Sequence, residues 1–345
     1  DAHRPLCIRG GGSKDFYGNA PQGDLLDTLD TRAHAGILAY EPTELFIAAR
    51  CGTPLAEIEA ALAAQGQYLP FEPPRFSAAS TIGGVVAAGL SGPRRASAGS
   101  LRDYVLGVTL LDGQARELAF GGQVMKNVAG YDVSRLIAGS LGTLGLILDA
   151  TLKVLPRPAA EATLRFGMTA AEALRRLNEW GGQPLPIVAS CWEDGVLMLR
   201  LAGARAAVEA AGQTLGGTKV GAGETAPEAY WDALRDQKRP FFAADTLWRL
   251  SVPSVAPPLD LPGQSNEWLI EWGGALRWLS SDAAPETIRA AAAAVGGSAT
   301  LYRAPAALKA QVGAFAPLPA PLMTLHRNLK AAFDPRGLFN PGRLY

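Results

Sequence analysis

The sequence predicts an α+β protein of two domains, and three observations carry that prediction. At 345 residues the chain exceeds the roughly 250–300 at which one hydrophobic core stops growing. Four glycine-rich stretches crowd into its first half and then stop, and alanine-rich helical patches alternating with tryptophan-bearing strands follow. Pro156 and Pro158 mark the change. The predicted boundaries are a first domain over residues 1–158, a second over 159–320, and a carboxyl-terminal segment over 321–345.

In the first domain residues 5–9 and 36–40 read as short strands, the former running directly into Gly10. Residues 53–66 read as a helix. Thr53 stands at the N-cap, Pro54 at the first helical position, Leu55, Ile58 and Leu62 on one face, and Gly66 past the end. Residues 104–111 and 115–120 flank Asp112-Gly113, a preferred two-residue turn, and predict a hairpin. Residues 144–155 form another β-rich run. In the second domain residues 170–180, 204–215, 229–238 and 285–295 have helical spacing. A hairpin is expected around Glu193-Asp194-Gly195, and strands over 247–252, 267–272 and 275–280. Two rounds of helix and hairpin predict an antiparallel sheet with helices on one face. Residues 255–262 read as a proline-rich surface loop and 321–333 as a last helix.

Composition narrows the function. Lys and Arg number 32, as do Asp and Glu, so no global field draws the chain to nucleic acid or an anionic membrane. Apolar residues make up 48%, as in soluble globular proteins, and no apolar run reaches the about 18 residues of a membrane span. Without a signal-peptide pattern the chain reads as cytoplasmic, which is compatible with peripheral attachment to a membrane-bound assembly. Asp1 lies so near the first glycine turn that a native amino-terminal segment is expected before it. Cys7, Cys51 and Cys191 are odd in number and widely spaced, which suits neither a disulfide framework nor an iron–sulfur centre; they read as buried fillers.

The glycines carry the chemistry. Consecutive glycines let backbone N–H groups turn toward one point and let a ligand lie on the main chain, a surface suited to a pyrophosphate. Four such stretches suggest a ligand of dinucleotide length spread over several loops. A nicotinamide site is not the reading: Gly139-x-x-Gly142-x-x-Gly145 is followed by a β-like run, where the dinucleotide fingerprint needs a helix. Arg9 to Lys14 lacks the spacing of a nucleoside-triphosphate loop.

Arg9-Gly-Gly-Gly-Ser-Lys14, Thr81-Ile-Gly-Gly84, Leu101-Arg-Asp-Tyr-Val-Leu-Gly107, Lys126-Asn-Val-Ala-Gly-Tyr-Asp132 and Gly139-Ser-Leu-Gly-Thr-Leu-Gly145, in that order, resemble the FAD-binding (PCMH-type) domain of the vanillyl-alcohol-oxidase and D-lactate-dehydrogenase flavoproteins. Phe333-Asp-Pro-Arg-Gly-Leu-Phe-Asn-Pro-Gly342 resembles the closing motif of that family. The resemblance spans residues 5–158 and 330–345 and is looser between them. Within the family it is nearest to the FAD-binding subunits of bacterial glycolate oxidases. It implies two α+β subdomains that bind FAD, a smaller ferredoxin-like cap domain with an antiparallel sheet, and a tail that returns to the FAD domain.

The resemblance also implies roles. Arg9, Gly10, Gly11, Gly12, Ser13 and Lys14 would meet the pyrophosphate, and Thr81, Gly83 and Gly84 would pass beneath the cofactor where a Cβ would collide with it. Gly99, Ser100 and Asp103 would flank the same path; for Asp103 a strand-end cap is the competing reading. Gly142 and Ile147 would approach the adenine, and Asn340 the isoalloxazine. Some relatives bond the flavin covalently through a histidine just after the glycine turn; Ser13 and Lys14 stand there, so non-covalent FAD is expected.

Oxidation of a 2-hydroxy acid also needs a carboxylate grip, a base and a hydride acceptor. Full-length catalytic relatives carry a histidine-rich metal motif, whereas this chain has only His3, His34 and His326, and no pair has ligand spacing. No metal is expected, and the catalytic group is unknown. His326, Arg249 and Arg277 are the candidates. Trp248, Trp268, Trp272 and Trp278 would serve as core, pocket wall or interface. Leu141 replaces an acidic residue usual in relatives. The expectation is therefore an FAD-binding subunit of a glycolate (2-hydroxy acid) oxidase complex, partnered by a larger catalytic flavin subunit and an iron–sulfur subunit, or a flavin-bearing structural or electron-relay subunit without turnover of its own.

Overall fold

The computed structural model describes residues 4–20, 27–122, 131–221, 226–261 and 266–344. His3 and residues 126–130 of the fourth glycine-bearing motif lie outside the described residues. The chain forms two compact units: Asp1–Ser91, Ser100–Pro156 and Pro317–Tyr345 make the first, Gly92–Gly99 and Arg157–Ala316 the second.

In the first unit β1 (Leu6–Arg9) and β2 (Asp27–Asp30) pair in parallel. The strands β3 (Ile37–Glu41), β4 (Phe46–Arg50), β5 (Gln67–Tyr68), β6 (Val105–Leu111), β7 (Glu117–Gly121), β8 (Leu146–Lys153) and β9 (Leu155–Pro156) follow. An antiparallel sheet runs in the order β3-β4-β8-β6-β7, and β5 pairs with β9. Phe46 to Ala49 of β4 are all buried, so this inner strand shows none of the alternation by which a half-buried strand is recognised. The predicted helix is present as Leu55–Ala64, with Leu55, Ile58 and Leu62 in the core. Pro54, not Thr53, occupies its N-cap. The Thr53 hydroxyl is engaged elsewhere: it accepts from Gly36 N at 2.9 Å and donates to Gly36 O at 3.1 Å, tying the loop before β3 to the helix start.

The hairpin β6–β7 also differs from its two-residue expectation. Leu111 pairs with Glu117, which leaves a five-residue loop, Asp112 to Arg116. The buried Asp112 carboxylate accepts from Gln114 N at 2.8 Å and Arg116 N at 2.9 Å, and Ala115 takes the left-handed conformation at φ 58°. Gly113 is needed for a different reason: its N–H donates to Phe333 O at 2.9 Å, and a Cβ there would lie 2.4 Å from Asp334 Oδ1.

The second unit is built on β10 (Ala160–Gly167), β11 (Ile187–Glu193), β12 (Val196–Gly203), β13 (Thr218–Lys219), β14 (Leu247–Ser251), β15 (Glu267–Glu271), β16 (Leu276–Ser280) and β17 (Ser298–Arg303). They form one antiparallel sheet in the order β13-β10-β12-β11-β15-β16-β14-β17. The β11–β12 turn is the expected one: Glu193 faces Val196, and Asp194 (φ 45°) and Gly195 (φ 74°) both turn left-handed. The helices Ala170–Gly181 and Arg205–Leu215 pack Leu177, Trp180, Val208 and Leu215 with Leu164, Leu197 and Leu199 of the sheet. The helix Pro285–Ala294 places Ile288 and Ala292 against Trp248, Leu250 and Leu301. An α+β fold with an antiparallel second sheet, as the sequence implies, is what the chain adopts.

Candidate cofactor-binding groove

Segments far apart in the first unit converge on a cavity of ≈ 380 Å³. Its floor is the helix Ile82–Ala88. Thr81 caps that helix by accepting Gly84 N at 3.3 Å, and Gly89 ends it at φ 65°. Ile82, Val85 and Val86 point into the core, while Gly83, Gly84, Ala87 and Ala88 line the cavity, so the helix offers its smallest residues to the groove. One wall is the turn after β1. Gly11 packs so closely on the neighbouring loop that a Cβ would lie 1.5 Å from the Ala79 carbonyl oxygen. The Gly83 Cβ would lie 2.7 Å from Cys51 Cβ, so the protein's own packing demands that glycine before any cofactor does. Gly84 is the freer position, with Thr81 Oγ1 at 3.4 Å the nearest atom to its missing Cβ.

The amide N–H groups of residues 10–14 meet no acceptor among the described residues, although Gly12 O and Lys14 O accept from Asp15 N and Tyr17 N at 3.2 and 3.0 Å. Unclaimed backbone donors in residues that line a cavity are suited to an anion. Their charged neighbours favour an anion too. Among the described residues, Arg9, Lys14 and Arg343 line the cavity with a single carboxylate, Asp15, which Arg9 holds at 2.7 Å. Lys14 Nζ donates to Ser80 Oγ at 2.7 Å and Ser13 Oγ at 3.3 Å and lies 5.7 Å from the centre of the Phe76 ring; burial lowers its pKa to about 8. Arg343 donates to Lys14 O at 3.2 Å and Asp15 O at 2.8 Å, which fixes the turn from the carboxyl tail; burial lowers its pKa. The donor set fits a dinucleotide pyrophosphate.

Asn340 closes the groove from the same tail. Its Oδ1 accepts from Ile8 N at 2.8 Å and its Nδ2 donates to Leu141 O at 2.7 Å, while its own N–H donates to Leu6 O at 2.9 Å. One buried amide thus joins β1 to the glycine loop ahead of β8. Lys330 strengthens the same seam through Thr143 O at 2.6 Å and Phe339 O at 2.9 Å.

Of the residues expected at the cofactor, Arg9, Gly10, Gly11, Gly12, Ser13, Lys14, Thr81, Gly83, Gly84, Gly142, Ile147 and Asn340 line this cavity. Gly99, Ser100 and Asp103 do not. Gly99 belongs to the second unit, and Asp103 Oδ2 accepts from Ser100 N at 2.8 Å and Ser100 Oγ at 2.7 Å, a capping box that starts the turn before β6. Burial pushes the Asp103 carboxyl up, but the Ser100 hydrogen bonds with Arg102 and Arg135 nearby outweigh it and the net direction is down. Sequence reasoning missed Arg343, Cys7, Cys51, Thr28, Thr31, Ala87 and Ala88, none of which carries a local signature. Cys51 and Cys191 are buried, but Cys7 is half-exposed on the groove wall; burial pushes the Cys51 thiol up to about 11, so it stays protonated.

The catalytic candidates fare differently. Arg277 is buried and spends its guanidinium on the carbonyls of Ala256, Pro257 and Gly274, so it holds the loop after β14 and grips no ligand. Arg249 is half-buried, 5.1 Å from the centre of the Trp272 ring and 6.0 Å from that of Trp278, with no carboxylate partner among the described residues. His326, half-buried on the helix Ala320–Phe333, is absent from the groove wall. Trp248, Trp272 and Trp278 are buried in the second unit, and Trp268 packs on its core, so all four are structural. Among the described residues no three His, Cys, Asp or Glu side chains cluster as metal ligands.

Fold and groove define the class. Residues 1–121 match the family model described as an FAD binding domain, so the chain is an FAD-binding flavoprotein. Over 342 residues, 99% of this chain and 93% of the relative, it is 51% identical to the glycolate oxidase subunit GlcE of Escherichia coli (strain K12). The chain belongs to the GlcE family of glycolate oxidase subunits. It is also 32% identical over 163 residues to the glycolate oxidase subunit GlcD of Bacillus subtilis (strain 168), covering 47% of this chain and 34% of that one. An alkyldihydroxyacetonephosphate synthase structure shares the fold with a TM-score of 0.66 at 16% identity, over 99% of this chain and 72% of the other.

Proposed function

We propose that this chain is the FAD-bearing subunit of a glycolate oxidase complex that converts glycolate to glyoxylate and passes the electrons to partner subunits. The observation that carries the reading is the unclaimed N–H run of residues 10–14, set beside Lys14 in a groove floored by glycine and alanine. In this assignment residues 10–14 hold the pyrophosphate, Gly83, Gly84, Ala87 and Ala88 leave space for the nucleotide, and Asn340 and Arg343 keep the turn in place. Bound FAD would supply a two-electron acceptor, filled either by the 2-hydroxy acid or by a partner subunit. Among the described residues no histidine lines the groove, which supports non-covalent attachment. The partners are a larger flavin subunit and an iron–sulfur subunit. No helix among the described residues is long and apolar enough to cross a membrane, and we place the chain in the cytoplasm, reaching a membrane through its partners.

Whether this subunit turns over substrate itself is a separate matter. Among the described residues of the groove, Lys14 is engaged by two hydroxyls and Asp15 is held by Arg9. That favours the relay role, in which the flavin of this chain takes electrons generated elsewhere in the complex. Of the two arginines expected at the substrate, Arg277 is spent on carbonyls, and Arg249 has no carboxylate partner among the described residues. The experiment is direct. Purified chain should be yellow and release FAD on denaturation; a colourless protein that cannot be reconstituted with FAD refutes the cofactor assignment. Assayed alone with glycolate and an artificial acceptor it should be inactive, and regain turnover with its partners. Turnover by the isolated chain that Arg249→Gln abolishes would reverse the relay role.

A further inference from the structure

Lys14 presents an electrostatic problem that the rest of the groove does not solve. Its ammonium lies against two hydroxyls, Ser13 and Ser80, and an aromatic ring, Phe76, and no carboxylate meets it among the described residues. The groups facing it come from three elements. On its own turn Asp15 is already bound by Arg9. From the loop before the floor helix Phe76 and Ser80 meet it, while Arg75 of that loop is paired with Glu59. From the carboxyl tail comes a second cation, Arg343, which donates to the carbonyls of Lys14 and Asp15. A cation withdrawn from water, with no carboxylate partner among the described residues, favours loss of its proton while the groove holds no anion. The unclaimed N–H run of residues 10–14 shows where an anion would sit.

Resting on the FAD assignment above, we propose that Lys14 is a proton-linked anchor: when the pyrophosphate of the dinucleotide enters the groove, Lys14 takes up a proton from solvent. Binding is then coupled to pH through a single residue. The ammonium of the free chain has a pKa of about 8, against an ordinary 10.5. A pyrophosphate within reach restores the charged form. At pH 8.5 about a quarter of free chains carry this proton and nearly all bound ones do, so about 0.7 proton is taken up per FAD; at pH 7 the uptake is about 0.1.

The test is calorimetric titration of FAD into FAD-stripped protein at pH 8.5, in two buffers of different ionisation enthalpy, whose difference in heat counts protons. Wild type should take up about 0.7 proton at pH 8.5 and about 0.1 at pH 7. Lys14→Met should bind FAD about tenfold more weakly or worse and take up under 0.2 proton. Lys14→Arg, charged at every pH used, should keep the affinity and lose the uptake. Wild-type protein that binds FAD with uptake below 0.2 proton at pH 8.5 overturns the proposal, as does Lys14→Met binding with undiminished uptake. Absence of FAD binding at pH 7 is a different failure, that of the cofactor assignment.

Discussion

Gly83 and Gly84 stand side by side on the floor helix, yet substitution by alanine should act on them in opposite ways. Both gain about 1 kcal/mol of helix propensity when a glycine is replaced by alanine. At Gly84 nothing opposes that gain, since the new Cβ would find Thr81 Oγ1 at 3.4 Å and otherwise face the groove. The FAD-free Gly84→Ala protein should therefore melt about 2–4 °C higher than wild type. The same methyl occupies space meant for the cofactor, so FAD affinity should fall by about tenfold, or 1.4 kcal/mol. At Gly83 the methyl would come within 2.7 Å of Cys51 Cβ and 2.9 Å of Cys51 O, the carbonyl that accepts from Gly83 N at 2.8 Å. Overpacking of about 1–3 kcal/mol and a strained hydrogen bond outweigh the propensity gain, and the FAD-free Gly83→Ala protein should melt lower. Scanning calorimetry of the two FAD-free variants, with fluorescence titration of FAD, separates the effects. Gly84→Ala that binds FAD as tightly as wild type would refute the floor assignment. Gly83→Ala with an unchanged melting temperature would refute the packing argument.

Asn340→Ala orphans Ile8 N–H and Leu141 C=O together and should cost about 2 kcal/mol or more in urea unfolding of the first unit; a loss below about 0.5 kcal/mol would show that the tail does not clamp β1. Arg277→Met should destabilise the second unit by about 3 kcal/mol while leaving the flavin-to-protein ratio unchanged, and a variant of normal stability with a raised KM for glycolate in the complex would return Arg277 to the substrate. Asp112 should shape the acid limb. Burial pushes its carboxyl up, but the hydrogen bonds from Arg116 and Gln114 outweigh it, so its folded pKa lies below 3.8. Its stabilisation is present above the unfolded value and lost as pH falls through the folded one. Asp112→Asn should lower stability at neutral pH and narrow its difference from wild type toward pH 2, a trend that melting curves across pH would contradict if the two proteins stayed parallel.

Much of this molecule was legible in one dimension because the decisive signals are local. A glycine run after a short strand must be a turn, and Asp194-Gly195 must be tight, because few other residues adopt those backbone angles at low cost. Apolar spacing located the helices Leu55–Ala64, Ala170–Gly181 and Arg205–Leu215, because it too is a local signal. The glycine stretches pointed to a ligand of dinucleotide length, and the resemblance of their motifs to a known family implied that it is a flavin. What stayed hidden depends on partners distant in sequence. β4 shows no alternation because neighbours cover both its faces, and the floor helix contains two glycines that propensity counts against it. Asp103 read equally as a ligand or a cap, and the structure turns it onto Ser100; Arg277 was one candidate grip, and the structure surrounds it with three carbonyls. Arg343 reaches the glycine turn across more than three hundred residues of chain. The sequence alone determined which backbone could cradle an anion, since a missing Cβ is a property of one residue. Only the tertiary structure decided which glycines face the groove and which are consumed by packing, and whether each charged side chain already has a partner. Those depend on distances that the chain acquires only when it folds.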